Sequence, residues 1–162
     1  GRAYNYIGDY MKINFKKLIL IILGTILVGG IFAMLTMGKS DYNSLNKPFD
    51  VPSIVFPIVW VILYILMGIS IYIVSEEKYK DKTKAYSLYI TQLVMNSLWT
   101  LYFFGFKWYT FSSLWIVLLL IAVILMIISF FKIDKKAAFL QIPYVLWLLF
   151  ALYLNISIAI MN

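Results

Sequence analysis

Five stretches of this chain run for 21 residues or more without a formal charge: Leu18 to Gly38, Val51 to Ser75, Ala85 to Phe106, Trp108 to Phe131 and Ala137 to Asn162. About 20 predominantly apolar residues, rising about 1.5 Å each, cover a hydrocarbon core of about 30 Å, and a span in lipid must pair its backbone polar groups internally. Each stretch therefore predicts an α-helix, and the fold class expected is all-α, a five-helix transmembrane bundle. A membrane β-barrel would need segments of about ten residues alternating polar and apolar, and Leu118 to Leu125 does not alternate. The composition points the same way: 64% of the 162 residues are hydrophobic and 13% charged, against roughly 45–50% and about 25% in soluble domains. With no long polar stretch to form a second unit, residues 11–162 are expected to be one membrane domain.

The formal charge of +7 could suggest nucleic acid until the cations are placed. Arg2, Lys12, Lys16 and Lys17 precede the first run, Lys78, Lys80, Lys82 and Lys84 lie between the second and third, and Lys132, Lys135 and Lys136 between the fourth and fifth. The alternate connections hold Lys39, Lys47 and Lys107. Lysine and arginine beside spans favour the cytoplasmic side, so this split predicts the N-terminus inside and the C-terminus outside. The basic connections would lie against anionic headgroups, which accounts for the charge without nucleic acid. The composition is rich in lysine, isoleucine and asparagine and almost free of arginine, a bias that suggests a low-GC bacterium and hence its cytoplasmic membrane. Gly1 to Tyr10 reads as an appended segment, with Met11 as the natural start; a cleavable signal peptide beginning at Met11 is the competing reading, but its apolar region would be too long.

Chemistry is narrowed by what the runs lack. Without Cys or His, disulfides, thiolates and the common zinc sites have no donors. No run carries the Asp, Glu or His of a proton-coupled transporter, the arginines of a voltage sensor or the polar ring of an ion pore. Ser70, Ser97, Ser112, Ser113, Ser129 and Ser157 have no His partner for hydrolysis.

What the runs do contain is aromatic and amide groups in register. Gln92, Asn96, Trp99 and Phe103 fall on one helical face, as do Tyr144, Trp147, Ala151 and Leu154 with Asn155 adjoining, and Trp60, Tyr64 and Gly68. Amides at mid-depth need partners, so these faces should point inward, for interhelical hydrogen bonds or for a ligand. Gly24, Gly29 and Gly30 are expected at packing contacts, with a pocket lining as the alternative. Pro57 could kink its helix. Tyr102, Trp108, Tyr109 and Trp115 suit an interfacial belt. The connection from Thr36 to Pro52 carries Tyr42, Leu45 and Phe49 and is expected to fold over one mouth of the bundle, a solvated linker being the alternative. An apolar, aromatic chamber with a few amide and hydroxyl donors suits a flat hydrophobic ligand.

Three stretches resemble one family. Tyr42-Asn43-Ser44-Leu45-Asn46-Lys47-Pro48-Phe49, then Pro52, Phe56-Pro57, Trp60, Leu63-Tyr64 and Gly68, resembles the first-loop and second-helix signature of the TspO/MBR family, the tryptophan-rich sensory proteins related to the mitochondrial translocator protein. Gln92, Asn96, Trp99 and Phe103-Phe104 are similar to its third-helix pattern, and Pro143-Tyr144, Trp147, Phe150-Ala151 and Leu154-Asn155 to its last. The resemblance implies a five-helix bundle, commonly homodimeric, whose pocket below the first loop takes porphyrins such as protoporphyrin IX and benzodiazepine-site ligands. Carried over by position, it implies Tyr42 and Phe49 as lid contacts and Trp60, Tyr64, Asn96, Trp99, Tyr144, Trp147 and Ala151 as pocket residues. It also implies light- and oxygen-dependent porphyrin breakdown involving Trp60 and Trp147 as catalytic residues. Facilitated movement of porphyrins or lipids, and a structural partnership with another membrane protein, are the alternative functions.

The chain departs from the pattern in places. Phe49 stands where tryptophan is usual, Val51 replaces the first of two prolines, and the interval from Lys47 to Trp60 is one residue short. The sterol-recognition pattern of animal members is missing, since no charged residue follows Lys136. Without His or Cys, haem iron would have to take Tyr or Met as axial ligand, which favours a metal-free porphyrin.

Overall fold

A computed structural model describes residues 12–36 and 41–162. The segment 1–10, the start at Met11 and Lys39 lie outside the described residues. The helices are α1 (Phe15–Thr36), α2 (Val55–Glu76), α3 (Thr83–Thr100), α4 (Tyr109–Ile133), α5 (Lys135–Phe139) and α6 (Ile142–Met161). Tyr42–Ser44 forms a 3-10 turn in the first loop, and α3 runs on as a π-helical segment, Leu101–Gly105. No strand occurs among the described residues.

Five of these helices are long. α1, α2, α4 and the stretch Lys135–Met161 that joins α5 to α6 are long and apolar enough to cross a membrane. α3 is the exception: its 18 residues include Thr83, Lys84, Ser87, Thr91, Gln92, Asn96 and Ser97. The polarity has a reason in its position, because Gln92 and Asn96 are wholly buried and bonded to neighbouring helices. α3 packs on α1 and α4, α1 also on α2, and α4 on α6.

The fifth run is not one unbroken helix as the sequence predicts. Asp134 is extended, and its carboxylate accepts the Lys136 N–H at 2.7 Å, capping the short α5. A turn at Leu140–Gln141 follows, and Pro143 sits in the first turn of α6, where its missing N–H disturbs no intrahelical bond. The same holds for Pro57, the third residue of α2, so that proline requires no kink. At the end of the π segment Lys107 adopts φ 59°, and the Trp108 N–H bonds back to the Tyr102 carbonyl at 2.9 Å. This left-handed residue turns the chain into α4.

The two ends of the bundle differ in their contacts. At one end the Asn14 N–H donates to the Tyr72 hydroxyl at 2.8 Å, Lys17 pairs with Glu76 at 3.5 Å, and Lys82 donates to the Ser75 carbonyl at 3.1 Å. Nearby, the Ser70 hydroxyl donates to the Ala137 carbonyl at 2.9 Å, which brings α5 to the same side. The lysines before α1, between α2 and α3 and around α5 therefore share one end. At the opposite end the Asn46 N–H donates to the Asn162 side-chain oxygen at 3.0 Å, and the Asn162 amide returns a bond to the Asn46 carbonyl at 2.8 Å. The first loop is thus tied to the end of α6.

Candidate functional site

The amides on α3 are placed by hydrogen bonds that cross the bundle. The Tyr64 hydroxyl of α2 lies 2.7 Å from Asn96 Oδ1 and 2.9 Å from the Gly29 carbonyl of α1. Asn96 Nδ2 donates to the Tyr144 hydroxyl of α6 at 2.8 Å, and that hydroxyl donates to Gln92 Oε1 at 2.7 Å. Four helices meet in this chain of bonds, in which the single Tyr64 proton is shared between the Asn96 and Gly29 oxygens. One level nearer the first loop, Trp99 Nε1 donates to Asn155 Oδ1 at 3.0 Å, and Asn155 Nδ2 to the Tyr109 carbonyl at 2.8 Å. Of the two roles the sequence left open for Asn96, the interhelical bond is the one it fills here.

Around this polar spine the rings gather. Trp60 is 7% exposed and stands with its ring centroid about 6 Å from four others: Tyr64 at 5.8 Å, Tyr144 at 6.1 Å, and Trp99 and Trp147 at 6.2 Å. Phe56 touches Trp147 at 5.8 Å and Phe104 at 5.8 Å. Ala151 is buried on the same face of α6 as Tyr144. The predicted inward stripes therefore do converge, but on each other: the centre is a packed aromatic cluster. Two polar atoms in it stand out. The indole N–H groups of Trp60 and Trp147 are both buried and have no hydrogen-bond partner among the described residues. A buried donor without an acceptor costs about 1–3 kcal/mol.

The open space lies to one side of the cluster. A cavity of about 340 Å³ is bounded by α1 (Ile26, Gly30, Ala33, Met34, Thr36), by Ser53 and the first half of α2 (Phe56, Pro57, Trp60, Val61, Tyr64), and by Thr100 and Phe104 at and just past the end of α3. Of the residues picked from sequence, Trp60 and Tyr64 line it. Asn96, Trp99, Tyr144, Trp147 and Ala151 form the layer behind and do not reach it. Sequence reasoning missed Phe56, Thr100 and Phe104 as lining residues, and all of the α1 wall except Gly30, for which pocket lining was the alternative to packing. The spacing of Ile26, Gly30 and Ala33 at i, i+4 and i+7 was the available signal.

The first loop folds over the bundle as expected, with its two aromatic residues in different settings. Tyr42 is 3% exposed, its ring 5.1 Å from Phe56 and 6.2 Å from Phe104. Lys47 caps it, donating to the Tyr42 and Leu45 carbonyls at 2.9 and 3.0 Å with its ammonium 4.6 Å from the Tyr42 ring. Burial, aided by the nearby Asp50 charge, pushes the Tyr42 phenol up to about 12. Phe49 sits outside, 42% exposed, stacked on Tyr153 at 6.1 Å and tilted against Phe150 at 5.7 Å. The tryptophans and tyrosines read as a belt separate too. Tyr102, Trp108 and Trp115 cluster on the outer surface at the turn into α4, whereas Tyr109 reaches inward to Phe103.

The two adjacent glycines of α1 show why both are there. A Cβ on Gly29 would fall 2.6 Å from the Tyr64 ring, so only glycine lets Tyr64 reach the α1 carbonyl. A Cβ on Gly30 would meet nothing within 4 Å and would face the cavity.

Comparison with known proteins follows the same features. A tryptophan-rich protein TspO of Archaeoglobus fulgidus is 35% identical over 152 residues, covering 92% of this chain and 99% of that protein. Protein CrtK of Rhodobacter capsulatus is 36% identical over 124 residues, 75% of this chain and 78% of its own length. The human translocator protein is 32% identical over 122 residues, 73% of this chain and 72% of its own. The TspO/MBR family profile matches residues 18–161, a range that takes in the α1 wall, the Trp60–Tyr64 face, the amide-bearing α3 and the whole of α6. With its apolar helices and this match, the chain is a multi-pass membrane protein, and it belongs to the TspO/MBR family.

Proposed function

We propose that this protein binds a planar hydrophobic guest, a metal-free tetrapyrrole such as protoporphyrin IX, as a membrane sensor or scavenger. The observation that carries the reading is the pair of buried, unpartnered indole N–H groups of Trp60 and Trp147 in an uncharged aromatic cluster beside an apolar cavity. A tetrapyrrole offers a flat π-surface for the rings and carboxylate or pyrrole nitrogen acceptors for the N–H groups. Trp60 and Tyr64 would meet it first. Trp147, with Phe56 between it and the cavity, would be reached as the cluster adjusts. Asn96, Trp99, Tyr144 and Ala151 would hold the wall behind, with Tyr42 and Phe49 carried on the loop above.

The catalytic part of the proposal is photo-oxidative. The bound porphyrin absorbs light and passes its excitation to dioxygen, the oxidant that adds to and opens the macrocycle, while the indoles of Trp60 and Trp147 intercept reactive oxygen or a radical and direct the degradation. In the same reading α3 completes a five-span bundle with the lysine-rich end in the cytoplasm, assembled as a homodimer. Since the sequence has no cysteine, single introduced cysteines at Lys80 and Asn46 would report the sidedness by labelling in intact cells.

Titration with protoporphyrin IX should quench tryptophan fluorescence to saturation. Trp60→Phe combined with Trp147→Phe should abolish light-dependent loss of the porphyrin band while retaining much of the binding. A double variant that degrades porphyrin as fast as the parent would remove the catalytic part, and a parent that shows no saturable quenching would remove the binding itself.

A further inference from the structure

The described part of the first loop covers one end of the cavity, where the exposed Ser53 lies on its edge, and the cavity opens sideways along two apolar helices. Above it, Tyr42 is wedged between Phe56 and Phe104, and the Asn46–Asn162 pair clips the loop to α6. Along its side, by contrast, the rim is made of exposed residues on two apolar helices: Ala33 and Met34 of α1, and Pro57 and Val61 of α2. Met34 is 68% exposed while Phe56, Trp60 and Tyr64 at the back are buried. The cavity is therefore a cleft between α1 and α2 with an aliphatic mouth and an aromatic floor.

Energetics separate the two routes to that floor. Lifting the loop would break the reciprocal Asn46–Asn162 bonds, strip Lys47 of two carbonyls and expose Tyr42 to water. Passing between α1 and α2 beyond the Tyr64–Gly29 bond exchanges lipid contact for contact with the guest's apolar ring face and breaks no polar bond of the protein. Thr36, the α1 hydroxyl on the wall, already donates to the Phe32 carbonyl at 2.7 Å.

Resting on the binding reading above, we infer that the guest reaches Trp60 sideways from the bilayer, through the α1–α2 cleft, and that the first loop stays closed while it does so. The substrate class is thereby restricted to molecules that partition into the membrane first. Gly30 is the gatepost, since a side chain added there meets no atom and projects into the passage.

The test uses the full chain in liposomes loaded with protoporphyrin IX, following tryptophan quenching with time. Gly30→Phe should slow association by about tenfold or more, while Gly24→Phe, on the same helix and likewise in open space but away from the cavity, should leave it within about twofold of the parent. Asn46→Cys with Asn162→Cys, joined by a short bis-maleimide, should also associate within about twofold of its unjoined form. A Gly30→Phe rate equal to the parent's, or a joined loop that halts association, overturns the lateral route. A second readout needs no porphyrin. In phosphatidylcholine brominated on its acyl chains, the part of the quenching that disappears in Trp60→Phe should also disappear in Gly30→Phe. If the parent fails to bind porphyrin, the functional reading falls, and the brominated lipid still decides the cleft: no Trp60 quenching in the parent means no opening to the bilayer.

Discussion

The two walls of the cavity are built on opposite principles. On the α2–α3 side, Tyr64, Asn96, Tyr144 and Gln92 are knitted by short hydrogen bonds and backed by stacked rings. On the α1 side, aliphatic residues and a bare glycine face the space. Of the apolar stretch that would cross a membrane, 11% of residues are buried in α1 against 50% in α2. α1 is fastened by Thr25 to the Tyr89 hydroxyl, on the basic-end side of the cavity, and by the Gly29 carbonyl to Tyr64, at the cavity wall. From Gly30 to Thr36 no side-chain hydrogen bond to another helix holds it among the described residues. A wall of paired polar groups keeps its shape, whereas one held only by apolar contact can part and reclose, since lipid replaces what it loses.

Substitutions can break this contrast in graded steps. Gly29→Val should have the largest effect, forcing Tyr64 away from the α1 carbonyl and destabilising the protein by about 1–3 kcal/mol through overpacking, read as a lowered thermal midpoint in detergent. Asn96→Leu, which leaves the Tyr64 and Tyr144 hydroxyls short of a partner, should cost about 1–2 kcal/mol, with the loss visible in denaturant unfolding. Tyr64→Phe should cost about 0.6–1.7 kcal/mol, and hydrogen exchange should rise in α1 ahead of α3. Gly30→Ala should be neutral or stabilising by up to about 1 kcal/mol, because alanine favours helix and fills only open space; a loss as large as that at Gly29 would mean the two glycines are equivalent after all.

The smallest effect should come from pH and be confined to the loop. Tyr42 has its folded pKa raised from 10.0 to about 12. Below pH 10 it is neutral in both folded and unfolded chains, and its contribution to the closed loop is intact. As pH rises from 10 towards 12 the unfolded form ionises first, so that contribution is lost. Tyrosinate absorbance paired with labelling of a cysteine at Asn46 should show the loop loosening in that window, and Tyr42→Phe should move the effect out of it.

How far the sequence announced all this depends on which residues are asked. The all-helical fold, four of the five expected spans and the inward faces were legible because charge and 3.6-residue periodicity are properties of one helix at a time. Gln92, Asn96 and Trp99 do share a buried face, and Trp60 and Tyr64 do lie together. Helix partners were not legible, because residues that face lipid and residues that face protein are both apolar in a membrane protein. For that reason the sequence did not announce that the cavity lies beside α1 rather than at the centre, or that Phe56 and Phe104 line it while Trp147 does not. The Asn46–Asn162 clip joins positions 116 residues apart and leaves no local pattern. The break before α6 was hidden because Leu140 and Gln141 interrupt the helix without a charge or a glycine.

The π-helical turn at Leu101–Gly105 sets a limit on how this architecture can vary. Such a turn holds one residue more than an α-helix would in the same rise. Removing a single residue there would let α3 continue in ordinary register and swing everything after it by about 100° around the helix axis. Phe104 would then leave the cavity floor, and the corner into α4 would point elsewhere. A length change of one position at this turn would therefore redesign the floor more thoroughly than most substitutions within it.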